Sequence, residues 1–268
     1  MSKRLLLVSL FFVITTLPLM AAESGPSNTV GFISFTCNDG VWVPFAFPFT
    51  YYEAGHVLTT SLNNIMNGNF TGGSALTGDR IWDQNTLTYA YKNTAGNWTG
   101  TLSAVTPGHA YWVRVYPNHV DVTAVTAGEV DTSPLYLGIM QSNAYNKVGL
   151  REAGQVAVSA LGLVAAGFTG GTALTSDRIW DQNTLTYAYV NAAGTTWSGS
   201  LATTGIAPGH ALWIYVRPTH ASFPWTYTPA GGEFDFVAPV PLINPQPNVV
   251  PPASGGLMRK AGSKPVNN

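Results

Sequence analysis

Residues 68–92, GNFTGGSALTGDRIWDQNTLTYAYK, recur 98 positions later as residues 166–190, AGFTGGTALTSDRIWDQNTLTYAYV, with 20 of 25 positions identical. The correspondence continues through Ala95-Gly96 and Trp98, matched by Ala193-Gly194 and Trp197. It includes Pro107-Gly108-His109-Ala110 and Trp112, matched by Pro208-Gly209-His210-Ala211 and Trp213, and closes at Gly128-Glu129 and Asp131 against Gly232-Glu233 and Asp235. Upstream, Glu53-Ala54-Gly55 matches Glu152-Ala153-Gly154. A repeat of about 100 residues is too long for a solenoid unit of roughly 20–50 and long enough to hold its own core. Two tandem domains are therefore expected, at 27–131 and 132–238. They follow a leader at 1–22 and precede a Pro-rich segment at 239–268, whose composition predicts a disordered tail.

Lys3 and Arg4, an apolar stretch from Leu5 to Met20, and the small pair Ala21-Ala22 have the anatomy of a cleavable export signal. The stretch is shorter than the roughly 20 residues a spanning helix needs, and no second one is long enough, so no transmembrane span is expected in the mature form. Charged residues make up only 9% of the chain, against about 25% in an average globular protein. A helix-rich intracellular enzyme would need more Glu and Lys on its exposed faces. The net charge of −1 argues against nucleic-acid binding through a broad basic surface. With Cys37 as the single cysteine, no intramolecular disulfide forms, and a small buried strand residue is the expectation for it.

Within a copy the signals are mostly strand signals. Thr86–Tyr91 alternates, Asn93–Asn97 reads as a hairpin loop into Trp98–Leu102, and Pro107-Gly108 marks a turn before a strand His109–Tyr116. In that strand Tyr111, Val113 and Val115, like Leu212, Ile214 and Val216, are expected core. Val41–Phe49 reads as a strand that Pro44 and Pro48 place at an edge or a bend. Val57–Met66 and Val156–Val164 each predict a short helix. The expected fold is all-β: two tandem antiparallel β-sandwich-like domains, each with one short helix, with a closed barrel as the open alternative.

The repeated Asp79-Arg80-Ile81-Trp82-Asp83-Gln84 and its twin Asp177-Arg178-Ile179-Trp180-Asp181-Gln182 offer two carboxylates per copy. The structural reading is a short strand anchored by a buried Trp82 or Trp180, a turn at Asp83-Gln84-Asn85, and Asp79 and Arg80 satisfying each other or nearby carbonyls. No ordered acidic calcium loop is visible. His109 and His119, ten residues apart, would stand about 33 Å apart on one straight strand and could not share a metal. No Gly-x-Ser-x-Gly elbow, phosphate loop or dinucleotide pattern occurs, and Asp131-Thr132-Ser133 is a chance match to an aspartic-protease motif. No catalytic, cofactor-binding or metal-binding residue is assigned, no cofactor is expected, and the protein is expected not to be an enzyme. If Tyr111, Val113 and Val115 point inward, Trp112, Arg114 and Tyr116 point outward, as do Trp213, Tyr215 and Arg217. These six are the candidate ligand- or partner-binding residues, with packing against another sheet as the competing explanation.

The layout Asp-Arg-Ile-Trp-Asp … Tyr-x-Tyr … Trp-x-Gly … Pro-Gly-His-Ala-x-Trp resembles tandem repeat modules of uncharacterised secreted or cell-surface bacterial proteins. That resemblance implies an extracellular, β-rich module with no established catalytic residue, located in the periplasm or at the cell surface. The expected role is that of a non-catalytic exported protein, a surface, matrix or envelope component acting through protein–protein contacts. Its partners would be other envelope or matrix proteins or copies of itself, and not nucleic acid. The alternative is a tandem carbohydrate-binding protein using exposed Trp residues on polysaccharide.

Overall fold

The computed structural model describes residues 30–53, 57–66 and 68–229. The expected export signal and Pro-rich tail lie outside the described residues. The protein is mostly β, built on two five-stranded antiparallel sheets. The first repeat runs β1 (Val30–Cys37), β2 (Trp42–Ala46), β3 (Tyr52–Glu53), β4 (Val57–Leu58), the helical turn α1 (Leu62–Ile65), β5 (Arg80–Asp83), β6 (Tyr89–Lys92), β7 (Trp98–Gly100), β8 (Ala110–Arg114) and β9 (Val122–Glu129). The second runs β10 (Leu135–Met140), β11 (Ala144–Gly149), a 3-10 turn (Val158–Leu161), α2 (Leu163–Ala166), β12 (Arg178–Asp181), β13 (Tyr187–Val190), β14 (Trp197–Ser198), α3 (Ser200–Thr204), β15 (Ala211–Val216) and β16 (Phe223–Tyr227).

The two sheets have the same order, β2-β8-β5-β6-β7 and β11-β15-β12-β13-β14. In each copy a two-stranded ribbon accompanies the sheet, β1-β9 in the first and β10-β16 in the second. Two hydrophobic clusters form. One joins Phe35, Cys37, Val122 and Ala124 of the first ribbon to Val43, Phe45, Ile81, Ala90 and Val113 of its sheet. The other joins Met140, Phe223, Trp225 and Tyr227 to Val148, Ile179, Ala188, Ile214 and Val216. Strand side chains alternate between faces, so one face of each sheet packs on its ribbon and the other turns away. Tyr111, Val113 and Val115, and Leu212, Ile214 and Val216, are all fully buried, as their alternation predicts.

Local chemistry explains several features. Pro44 lacks an N–H, and β2 is an edge strand of its sheet. Asp83 Oδ1 accepts from the backbone N–H groups of Asn85 (2.7 Å) and Thr86 (3.2 Å), which closes the turn that follows β5. That turn puts Leu87 and Leu185 at positive φ, 58° and 55°. The strand expected from Thr86 therefore starts only at Tyr89, and Leu87 is an exposed turn residue. Gly72 in the Phe-Thr-Gly-Gly motif crosses the end of β6 so closely that an added Cβ would lie 2.2 Å from the carbonyl O of Asn93. Its twin Gly170 is as close to Asn191, at 1.9 Å. Of the helix expected over Val57–Met66, only residues 62–65 are helical, because 57–58 pair with 52–53.

Candidate functional site

The two Asp residues of the Asp-Arg-Ile-Trp-Asp motif stand at opposite ends of the central strand β5, and both are buried. Each meets a histidine at an end of the antiparallel neighbour β8. His119 Nδ1 lies 2.7 Å from Asp79 Oδ1, and His109 Nδ1 lies 2.7 Å from Asp83 Oδ2. The second repeat repeats the arrangement, with His220 on Asp177 (2.7 Å) and His210 on Asp181 (2.6 Å). An ionised carboxylate only accepts, so the Nδ1 atoms carry the proton. Asp79 also accepts from the N–H groups of Thr71 (2.6 Å) and Tyr116 (2.8 Å). Asp177 does the same for Thr169 and Arg217, both at 2.8 Å. Of the two expectations for Asp79 and Arg80, mutual pairing is replaced by Asp79–His119, and Arg80 stands in register with Arg114 and Tyr91.

These pairs tie the two central strands together at both ends. Chemically, an aspartate on Nδ1 orients an imidazole, but among the described residues none of the four rings hydrogen-bonds a Ser, Thr or Cys side chain. Nor is there a group of three His, Cys, Asp or Glu residues placed to hold a metal ion among them. Cys37 is fully buried in β1, and burial, followed by the charge of Asp79, pushes its thiol pKa up, so it stays a protonated core residue. For Asp83, burial alone would raise the pKa. The hydrogen bond and charge of His109, with the N–H groups of Asn85 and Thr86, outweigh it and hold the carboxyl below its ordinary value. A depressed folded-state pKa contributes stability that is full above the unfolded carboxylate value, about 3.9, and lost as pH falls through the folded one. Thermal midpoints measured from pH 7 to pH 2 should therefore fall below about pH 4. Asp83→Asn should lower the midpoint at pH 7 and flatten part of that slope; an unaltered slope would show that Asp83 is not a source of it.

Gln84 and Asn85, with their twins, join the repeats. Gln84 donates to Gln182 Oε1 (3.0 Å), a contact between two equivalent residues. Asn85 donates to the carbonyl of Lys147 (2.8 Å), and Asn183 to that of Pro44 (2.6 Å). The N–H of Gly149 donates to Gly108 O, and the N–H of Ala46 to Gly209 O, both at 2.8 Å. Pro44 and Lys147 face the equivalent Trp112 and Trp213 in register, as Ala46 and Gly149 face Ala110 and Ala211. The Asn85 and Asn183 bonds, and the Gly149 and Ala46 bonds, are thus counterparts running opposite ways, the pattern of an isologous, two-fold interface, while the Gln84–Gln182 bond lies between equivalent residues and runs one way. Turn chemistry alone had accounted for these residues in the sequence. The missed signal was Gln84, which has no particular use in a turn and yet stands in both copies.

The remaining repeated residues form the outward face of each sheet. Cross-strand register places Trp82 beside Trp112 and Tyr89, and Arg80 beside Arg114 and Tyr91. Trp42 and Pro44 on β2 complete the face. In the second sheet Trp180 stands beside Trp213 and Tyr187, and Arg178 beside Tyr215, with Tyr145 and Lys147 on β11. Trp82 stacks on Tyr89 at 5.4 Å between centroids, and the Arg114 guanidinium lies 5.4 Å from the Trp42 ring and 5.9 Å from that of Tyr116. Tyr145 stacks on Tyr215 at 4.7 Å, Trp180 packs tilted against Tyr187 at 4.7 Å, and Arg217 lies over Tyr215 at 5.3 Å.

All six candidate residues, Trp112, Arg114, Tyr116, Trp213, Tyr215 and Arg217, are half-buried on this side, flanked by aromatic neighbours. Trp82 is only 5% exposed, yet it is covered by this aromatic row and not by the core, where Ile81 is the anchor. Trp180 is half-buried. The strand positions of this face carry no Asp or Glu in either repeat. Burial, then the charge of Arg80 directly opposite, lower the Arg114 pKa from its usual value. The indole N–H groups of Trp82 and Trp180, and the Nε atoms of Arg80 and Arg178, have no hydrogen-bond partner. A shallow apolar pocket elsewhere, lined by Phe47, Phe49, Tyr51 and Leu58, has the Arg151–Asp131 ion pair at its wall.

No protein-family model, curated protein or solved structure matches this chain. The likeness to secreted repeat modules therefore stands on its motifs alone. Among the described residues no helix is long and apolar enough to cross a membrane.

Proposed function

We propose that this is a non-catalytic exported protein, a surface, matrix or envelope component that makes protein–protein contacts through the outward faces of its two sheets. The observation that carries this reading is the repeated aromatic–arginine face. The Asp–His pairs, the glycines and the Gln–Asn turn all serve strand bracing or the joint between repeats. The Trp, Tyr and Arg residues of the face serve neither the core nor that joint. Partly exposed Trp, Tyr and Arg are the residue types that dominate interface energies. In the first sheet Arg80 and Arg114 stand directly opposite each other, a like-charge pairing unfavourable in a sheet that the charge of Asp39 near Arg114 offsets in part.

A second reading, tandem carbohydrate binding, is favoured by the half-exposed Trp112 and Trp213 beside arginines, since an indole face stacks on sugar rings. One experiment separates the two. A photo-crosslinking residue at Tyr91 or Tyr189 should capture proteins at the cell exterior, while the same residue at the exposed Leu76 should not. Retention on polysaccharide columns that is lost in Trp112→Ala/Trp213→Ala, without protein crosslinks, would replace the first reading by the second. Neither crosslinks nor retention would remove both.

A further inference from the structure

We infer that the pocket floored by Phe47, Phe49 and Tyr51 binds a small uncharged aromatic molecule that carries one hydrogen-bond donor, a phenol being the simplest. The ring lies against these aromatics and the donor meets Asp131. The pocket shares no residue with the outward faces, and the inference does not depend on their reading as contact surfaces.

The pocket sits where the two repeats differ. Register makes Ala46 and Gly149 equivalent, and Glu53 is the counterpart of Glu152. Between these points the first repeat has six residues, Phe-Pro-Phe-Thr-Tyr-Tyr, and the second has two, Leu150 and Arg151. Phe47, Phe49 and Tyr51, at alternate positions of the longer stretch, are all buried in the first cluster. Arg151, from the shorter stretch, reaches Asp131 and Thr50 at the pocket wall. The second repeat lacks the residues that make the floor, so the pocket has no twin. Backbone bonds fix its walls. Thr50 and Glu129 exchange two (2.9 and 2.8 Å), the N–H of Thr59 donates to Tyr51 O (2.9 Å), and that of Val105 to Thr60 O (2.8 Å). Gly128 lets β9 lie close behind, since an added Cβ there would be 2.8 Å from the Phe49 Cβ. The site is thus formed before a ligand arrives, as binding pockets usually are.

Size and wall chemistry select the ligand. The volume is about 190 Å³. An apolar cavity of about 150 Å³ takes benzene, so one substituted ring fits and a disaccharide does not. Phe47 and Phe49 each meet Tyr51 edge-to-face, at 6.0 and 6.4 Å, an arrangement that a further ring extends. A pyranose would set hydroxyls against Phe47, Phe49 and Val105, where nothing pairs with them. On the polar side, Asp131 accepts from Arg151 Nη1, from Thr50 Oγ1 (3.2 Å) and from Ser133 N (2.8 Å). Arg151 is the closed member of the ion pair, its side chain 9% exposed against 26% for Asp131. A ligand therefore meets the carboxylate, which only accepts, and must donate to it. An anion is repelled there. A cation gains little, because Arg151 already neutralises the charge.

The test uses the full chain with p-cresol as the probe. Saturable shifts of the Leu58 and Val105 methyl resonances are expected, with those of Ile214 in the second cluster unmoved. Toluene and 4-methylanisole, which have the ring and no donor, should bind about ten-fold more weakly or worse, because a hydrogen bond to a charged group contributes about that factor. Benzoate should bind no better than toluene. Asp131→Asn should change the order, benzoate gaining about ten-fold as Arg151 loses its counter-charge. Leu58→Trp, at the exposed rim, should block p-cresol and leave the thermal midpoint unchanged. Equal affinity for p-cresol and toluene would overturn the ligand class. No saturable shift up to the solubility limit of p-cresol would remove the site, as would binding that survives Leu58→Trp. If Asp131→Asn fails to fold, the ligand series on the parent chain decides alone. Crosslinks from Tyr91 test the outward faces and stand or fall separately.

Discussion

Replacing Asp79 by Ala is expected to destabilise the protein by roughly 3–5 kcal/mol, the cost of breaking a buried, hydrogen-bonded charge site. The carboxylate is fully buried and accepts from Thr71 N, Tyr116 N and His119 Nδ1. Truncation leaves three donors facing an apolar methyl, at about 1–3 kcal/mol for each unsatisfied group. The lost brace also frees the loop after β8, because Tyr116 N and His119 are both held there by this one side chain. Asp79→Asn keeps the volume and one acceptor oxygen, but turns an NH2 group toward a donor, so about half the loss is expected. Asp177→Ala should cost a similar amount, because Asp177 makes the same three bonds to Thr169, Arg217 and His220. Chemical denaturation of the single variants and of Asp79→Ala/His119→Ala checks this. A double variant no less stable than Asp79→Ala alone indicates that the histidine acts only through the aspartate. A loss under about 1 kcal/mol in Asp79→Ala would show that the strand ends are held by other contacts.

The sequence made some of these features plain and hid others, for physical reasons. Core positions such as Val113 and Ile214 were legible because alternation along a strand is local, and Pro44 marked an edge because a missing N–H has only one place to go in a sheet. The Asp–His braces were hidden because they depend on register. Asp79 and His119 are 40 residues apart, and only the antiparallel pairing of β5 with β8 brings a strand start to a strand end. The repeat itself held the clue, two Asp and two His preserved in both copies, but nothing local says which meets which. Trp82 misled for a different reason. A large aromatic side chain is buried on average, and this one is, but under the Tyr89 ring and opposite Trp112 on the outward face. Its neighbour Ile81 points to the core. The outward direction deduced for Trp112 applied equally to Trp82 through the pairing of the two strands, and that pairing could not be read from either motif alone.

Gly149→Leu is expected to separate the two repeats without unfolding either. At this position an added Cβ would lie 2.3 Å from the carbonyl O of His109 and 2.8 Å from the Ala46 Cβ. Neither obstacle yields easily: one is backbone, and the other belongs to the edge strand β2. The joint depends on that close approach, since the Gly149 N–H donates to Gly108 O, the Ala46 N–H to Gly209 O, and the Gln84–Gln182 contact lies between equivalent ends of the two sheets. Forcing β11 away from the residue 108–109 backbone opens all of them together, and the buried amide groups lose their partners at about 1–3 kcal/mol each. The sheets should survive, because β11 pairs with β15 over six residues on its other side, and Val148 and Leu150 remain in the second cluster. Calorimetry should therefore show the parent chain unfolding in one transition and Gly149→Leu in two, since units that lose their interface unfold independently. Gly149→Ala should lower the midpoint in the same direction with a smaller split. Gly154→Ala, where an added Cβ meets nothing within 4 Å, should leave a single transition. One undivided transition in Gly149→Leu at the parent midpoint would mean that the repeats are not joined through this strand. The aromatic faces of the two sheets would then have no fixed relation to each other.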